Sequence, residues 1–351
     1  MMINLDKYIS SRTAVLICTD VNRFYLTGVK SSAGYFLKTN VGDFLFVDGR
    51  YFEMANKTAK NGIKVVLLSR LSKQLNEIIE RFKIETLFTE TDITVSFLNS
   101  LCSIINCKIT PQESLNEELL VARSVKTEDE IQNVIFAQRI AENAFNELLN
   151  YIKVGVTEKD IALFLDYEMR KRGSEGVAFE TIAVSGKNSS MPHGVPTDKP
   201  LKEGDFLTLD FGAVYKGYHS DMTRTLAIGY ASEKMQEVYN LVLSAQERAI
   251  EKISAGVACK NVDAAARDFI TKAGFGGNFN HSTGHGVGLC IHEYPNLSNR
   301  NDAKLTAGQI VTVEPGVYIE GEFGVRIEDM IVVKENAREN LTNCPKTLII
   351  L

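Results

Sequence analysis

Two stretches of this chain read alike, and their likeness limits the fold more than any other feature. "YIKVGVTEKDIALFLDYEMRKRG" (residues 151–173) and "KISAGVACKNVDAAARDFITKAG" (residues 252–274) each contain an Ile-x-x-Gly-Val turn, a run of helical period and a terminating glycine. A long amphipathic helix precedes each. The first opens on Thr127 and Glu130, spaced as a capping box, and keeps Ile131, Val134, Ile135, Ala141, Phe145, Leu148, Leu149 and Ile152 at helical spacing. The second begins after Ser232. Each copy then runs into a β-rich stretch carrying two acidic residues. An internal duplication accounts for this order, so the fold must hold two similar halves, each of paired helices and a hairpin.

In the first half the hairpin is "LTLDFGAVYKGYHSDMTRT", where Leu207, Leu209 and Phe211 alternate with polar or small residues and the alternation resumes after Tyr215-Lys216-Gly217. With Tyr215 and Lys216 as the turn, facing residues sum to 431, which sets Asp210 opposite Asp221. Like charges facing across a ladder are destabilising unless a cation lies between them. In the second half "IVTVEPGVYIEGEFGVRIEDMIVV" places Glu314 and Glu328 either side of Gly321, the natural apex of another hairpin. All five histidines (His193, His219, His281, His285, His292) fall between residues 193 and 292, and His285 sits between glycines that let backbone approach closely. A single histidine of this kind is more often a satisfied core or surface residue; five interleaved with paired acids shift that balance. Gathering Asp210, Asp221, Glu314, Glu328 and His285 concentrates four negative charges, too costly to bury uncompensated. One divalent cation leaves about −2, whereas two neutralise the cluster. Oxygen-rich ligation with one imidazole suits Mn²⁺, with Co²⁺, Zn²⁺ and Fe²⁺ also compatible.

The chain's 351 residues allow two domains with real cores. Residues 1–123 alternate short apolar strands ("AVLICT", "FLFVD", "IKVVLLS", "ETLFTE") with helical stretches such as "RLSKQLNEIIERF", the rhythm of a small α/β domain with no catalytic motif. Residues 124–351 hold the duplicated part. A net charge of −5 without a basic stripe argues against nucleic acid. The absence of a signal-like N-terminus or a long apolar run argues against a membrane. A cytoplasmic protein is expected. The six cysteines form no CxxC pair and read as buried thiols.

Together "FETIAVSGKNSSMPHGVPTDK", "LDFGAVYKGYHSDMTRT", "STGHGVGLCIHEYP", "VTVEPGVYI" and "GVRIEDM" resemble the Xaa-Pro peptidases, prolidase and aminopeptidase P, of the metallopeptidase family with the pita-bread fold. "FLFVDGRYFEMA" resembles part of the creatinase-like N-terminal domain of that family. The resemblance implies an α/β chain with a creatinase-like domain over 1–123 and a pita-bread catalytic domain with an internal pseudo-twofold over 124–351. It further implies that Asp210, Asp221, His285, Glu314 and Glu328 hold two metal ions, Asp221 and Glu328 contacting both, and that Glu314 accepts the proton of the attacking water. His193 and His292 match family histidines that contact substrate and stabilise the tetrahedral intermediate. Arg326 would support the site or engage a substrate carboxylate, and Tyr318 would add a hydrogen bond. His281 would stand behind the ligands.

The substrates implied are proline-containing peptides, with removal of an N-terminal residue before proline as the main reading and cleavage of Xaa-Pro dipeptides as the alternative. A homodimer, with the first domain of one subunit shaping access to its partner's site, is implied as well. Methionine aminopeptidases usually lack a creatinase-like first domain, and creatinase lacks the five-ligand set. A non-catalytic pita-bread binding module would typically have lost ligands, and every ligand position here is filled.

Overall fold

The computed structural model describes residues 3–351, which form two compact units divided between Arg123 and Ser124. The first is built on a mixed six-stranded sheet of β1 (Thr13–Ile17), β2 (Tyr35–Thr39), β3 (Gly42–Val47), β4 (Ile63–Leu67), β5 (Thr86–Thr89) and β6 (Lys108–Pro111) in the order β4-β3-β2-β1-β5-β6. Its helices are α1 (Asp20–Thr27), α2 (Phe52–Thr58), α3 (Leu71–Phe82) and α4 (Val95–Ile104), with α5 (Glu113–Ser124) leading out. Leu75 and Ile79 of α3 pack with Leu16, Leu37, Phe46 and Leu87 of the sheet. The strands β2 and β6 were not anticipated. β2 is a short antiparallel neighbour of both β1 and β3, and only Asn40 and Val41 separate it from β3.

In the second unit the helices α6 (Glu128–Leu148), α7 (Glu158–Lys171), α8 (Glu233–Lys252) and α9 (Cys259–Lys272) come in two pairs. The Thr127–Glu130 capping box is formed, and Ser232 caps α8 through the Met235 N–H. The duplicated Gly155 and Gly256 both take positive φ, 92° and 84°, conformations that suit glycine. The strands are β7 (Ile182–Ser185), β8 (Phe206–Phe211), β9 (Val214–Tyr215), β10 (Tyr218–His219), β11 (Met222–Ala227), β12 (Gly284–Gly286), β13 (Glu293–Leu297), β14 (Ile310–Val313), β15 (Gly316–Ile319), β16 (Phe323–Arg326), β17 (Asp329–Val333) and β18 (Arg338–Asn340). They form sheets ordered β11-β8-β7 and β13-β12-β14-β17-β18, with β9-β10 and β15-β16 as two-stranded extensions.

The pairs of helices bury equivalent faces. α6 and α7 cover Leu207, Leu209, Phe211, Met222 and Leu226 with Phe145, Leu148, Ile161 and Leu165. α8 and α9 cover Val311, Val313, Ile331 and Val333 with Val238, Val242, Val262 and Ala266. Because strand side chains alternate, the faces turned away from the helices receive Thr208, Asp210, Asp221, Thr223 and Thr225 from the first half. From the second half they receive Thr312, Glu314 and Glu328. These two faces meet: Thr225 Oγ1 donates to Arg326 O (3.0 Å) and Thr223 Oγ1 to Glu328 Oε2 (2.8 Å). Among the described residues no helix is long and apolar enough to cross a membrane.

One register departs from expectation. β8 and β11 pair Asp210 with Thr223, and β9 and β10 pair Tyr215 with Tyr218, so the first hairpin turns at Lys216-Gly217 and not at Tyr215-Lys216. Both turn residues have positive φ (48° and 78°), as a two-residue type I′ turn requires. Asp221 therefore does not face Asp210, although both keep the face turned to the other half. The second hairpin is centred on Gly321: Gly316 pairs with Arg326 and Val313 with Asp329, the register that brings Glu314 and Glu328 level.

Candidate metal centre

The acidic residues converge with His285. Ligand-capable atoms of Asp221, His285 and Glu328 all lie within 4.8 Å of one another, and His285 Nε2 is 3.6 Å from Asp221 Oδ2 and 3.3 Å from Glu314 Oε1. A Cβ at Gly284 would overlap the Thr312 carbonyl oxygen, and one at Gly286 the Tyr294 carbonyl oxygen, so both glycines are needed to seat β12 against its neighbours. The ring is then fixed: its Nδ1 lies 3.0 Å from Gly286 O, which can only accept, so Nδ1 carries the proton and Nε2 turns a lone pair toward the carboxylates. Burial lowers the pKa of His285 and reinforces that neutral form.

In the metal-free chain the carboxyls oppose one another. Burial pushes Glu314 up to about 8, held back in part by Arg326, with Asp210 adding to the rise. Asp221 and Glu328 are also raised well above the ordinary range, by burial first and then by neighbouring acids. Asp210 Oδ1 is buried without a hydrogen-bond partner among the described residues. Four carboxylates, one of them with an orphaned oxygen, and an imidazole lone pair fit hard or borderline divalent cations.

Behind the acids lies a hydrogen-bonded frame. Arg326 is 3 % exposed, and all three of its side-chain nitrogens are engaged: Nη2 with Asp210 Oδ2 (2.6 Å), Nε with Thr223 Oγ1 (3.1 Å), and Nη1 with Tyr318 Oη (2.8 Å) and Pro192 O (3.1 Å). Of the two roles expected for Arg326, support of the site or engagement of a substrate carboxylate, these contacts are those of a support. Tyr318 Oη lies 2.9 Å from His281 Nε2, and His281 Nδ1 lies 2.8 Å from Ser282 O. The carbonyl makes Nδ1 the donor, so Nε2 accepts from Tyr318, and burial, with Arg326, keeps His281 neutral by lowering its pKa to about 4. Tyr318 is thus held between Arg326 and His281. Thr223 and Thr312 were not anticipated. Thr312 Oγ1 accepts from His285 N (3.0 Å) and donates to Glu314 Oε1 (3.2 Å), tying two site residues together. Threonines on strands look like ordinary β-formers, so their only signal was facing the same way as the acids.

His193 and His292 are exposed. His292 packs edge-on to His285, with ring centroids 4.4 Å apart, and the partial desolvation of its ring, then His285 and His193, lowers its pKa. Two solvent-facing imidazoles therefore adjoin a buried acidic cluster. His219 is engaged with Gly288, its N–H donating to Gly288 O (2.8 Å) and its Nδ1 3.1 Å from the same oxygen.

The sequence matches Metallopeptidase family M24 over residues 132–335 and the Creatinase/Prolidase N-terminal domain over residues 11–119. A solved Xaa-Pro dipeptidase from Bacillus anthracis shares 40 % identity over 96 % of this chain and 95 % of its own, with a TM-score of 0.92. An X-Pro aminopeptidase structure from Thermotoga maritima shares 38 % over 97 % and 98 %, TM-score 0.91. The Xaa-Pro dipeptidase of Pyrococcus horikoshii is 36 % identical over 98 % of this chain and 96 % of its own. With a creatinase-type first unit, a duplicated second unit and the acids gathered between its halves, the chain belongs to metallopeptidase family M24 and is a peptide-bond hydrolase of the pita-bread fold.

Proposed function

We propose that this chain is an Xaa-Pro dipeptidase using two divalent metal ions held by Asp210, Asp221, His285, Glu314 and Glu328. The observation that carries the metal reading is the burial of Asp221 and Glu328, with Glu314 half-buried, beside a neutral His285, an assembly of like charges that two dications would neutralise. The Xaa-Pro dipeptidases among its relatives support the dipeptidase, the alternative reading of the sequence, better than removal of a residue from longer peptides. The aminopeptidase reading keeps the support of the Thermotoga maritima structure.

Bound there, such ions supply Lewis-acid polarisation of the scissile carbonyl and a water of lowered pKa. Glu314, level with Glu328 across its hairpin and 3.3 Å from His285 Nε2, takes up the proton of the attacking water as a carboxylate once the cations have displaced its own proton. His193 and His292, exposed beside the cluster, donate hydrogen bonds to the developing oxyanion and the leaving proline nitrogen. Arg326 and Thr223 hold Asp210 and Glu328 in place.

The test loads the protein with Mn²⁺ and compares an Ala-Pro dipeptide with an Ala-Pro-Ala tripeptide. Dipeptide turnover with about two ions per chain is expected, and tripeptide-only turnover refutes the dipeptidase. The reading extends to a cytoplasmic homodimer, whose assembly sedimentation analysis tests.

A further inference from the structure

Glu158 opens α7 and is fully buried, yet it lies outside the acidic cluster. Oε1 accepts from Ser185 N (2.7 Å), Ser185 Oγ (2.8 Å) and Asn188 Nδ2 (3.2 Å). Oε2 accepts from Thr197 N (3.0 Å), Thr197 Oγ1 (2.7 Å) and the same Asn188 amide (3.2 Å). Ser185 and Thr197 are the two feet of the loop that carries His193. The middle of the loop is tied to the other half, where Gly324 N donates to Ser189 Oγ (2.9 Å) and Arg326 Nη1 to Pro192 O (3.1 Å). One buried carboxyl thus closes the base of the loop whose far end presents His193.

The duplication provides an internal control. The residue matching Glu158 in the second half is Cys259, the first residue of α9 and also fully buried. The surrounding backbone is the same: Glu158 N donates to Lys199 O (3.1 Å) and Lys159 N to Thr197 O (3.1 Å), while Cys259 N donates to Ala303 O (2.9 Å) and Lys260 N to Asn301 O (2.9 Å). Neither starting the helix nor crossing the chains needs an acid there. The acid occurs in the half that has the His193 loop to hold.

We propose that Glu158 is a positioning residue for His193, fixing through both feet of the 185–197 loop where that imidazole stands over the substrate. The inference rests on the role given to His193 under the proposed function. Glu158 touches no reacting atom, and its effect passes through the loop. In Glu158→Gln the shape is kept, but whichever way the amide is turned its NH₂ meets a backbone N–H, of Ser185 or of Thr197, and one foot is released. A displacement of about 1 Å in a positioned group lowers turnover by up to about 100-fold.

The experiment is a double-mutant cycle on the Mn²⁺-loaded protein with Ala-Pro, combining Glu158→Gln and His193→Ala, with bound metal and Tm measured for every variant. Glu158→Gln is expected to lower kcat at least tenfold with metal content unchanged. In the His193→Ala background the same change should add less than twofold, since the loop no longer carries anything to position. A purely structural role predicts equal penalties in both backgrounds, and that result overturns the inference, as does an unchanged kcat in Glu158→Gln while His193→Ala is impaired. If His193→Ala is itself fully active, the role of His193 fails and the inference with it, a result distinct from the other two. Should Glu158→Gln not fold, Thr197→Val, which removes one hydroxyl donor at one foot, enters the same cycle with the same expectations at smaller size.

Discussion

Filling the site with cations should release protons and should stabilise the protein more as pH rises, and both effects can be sized from Glu314. Its carboxyl, raised to about 8 in the metal-free chain, is about nine-tenths protonated at pH 7. Asp221 and Glu328, raised in the same direction, hold further protons in a cluster that titrates as a unit. Saturating metal-free protein with Mn²⁺ at pH 7 should therefore release at least about one proton per chain, read by calorimetry in buffers of different ionisation enthalpy.

The sign for stability follows from the same shift. A carboxyl that holds its proton more tightly when folded favours the folded state at low pH, and this contribution is lost as pH rises from about 4.5 to about 8. For Glu314 the loss is on the order of 5 kcal/mol. Cations replace the protons and remove the loss. About 3 kcal/mol of that loss falls between pH 5.5 and pH 8, so the Tm gained on adding Mn²⁺ should widen across this range by roughly 6–12 °C, taking about 2–4 °C per kcal/mol for a unit of this size. Ligands of ordinary acidity would already be charged throughout that range. A metal-induced Tm gain that stays flat from pH 6 to pH 8, with no proton release, refutes the reasoning.

Other substitutions probe the frame. Thr312→Val breaks the link from His285 N to Glu314 and should weaken Mn²⁺ binding by about 10–100-fold, measured by competition with a chelator, with little change in the Tm of the metal-free protein. Gly284→Ala should disrupt the seating of β12 and abolish tight metal binding, whereas Gly321→Ala, at an open turn with φ of 74°, should cost only about 1 kcal/mol in denaturant melts and leave metal binding intact. Asp329→Ala strands Arg224, its partner at 2.8 Å in a pair almost wholly removed from water, and should cost about 3–5 kcal/mol in the same measurement.

The second hairpin was legible because its apex needs a single left-handed residue and Gly321 supplies it, so counting outward levels Glu314 with Glu328. The first was misjudged by one residue. A type I′ turn asks for positive φ at both central positions, and Lys216 accepts it at 48° where Asn or Gly is the usual sign. The acids were recognisable as an improbable concentration of like charge. Their supports were not: Thr223 and Thr312 share the composition of any strand, and Glu158 at the first turn of a helix reads as an ordinary solvent-facing acid. Burial and partners, which only the folded chain reveals, distinguish it from that role. Arg326 could be placed near the site by resemblance, but its commitment to Asp210, Thr223 and Tyr318 is a matter of geometry.

Because the first half contributes Asp210 and Asp221 while the second contributes His285, Glu314 and Glu328, neither half carries the whole of the proposed ligand set. Severing the backbone at the exposed stretch before Ser232 would leave two fragments, each with its own helix pair and strands but an incomplete ligand set. Metal would then act as the glue for reassembly, and the recovered turnover of mixed fragments would track the cation concentration.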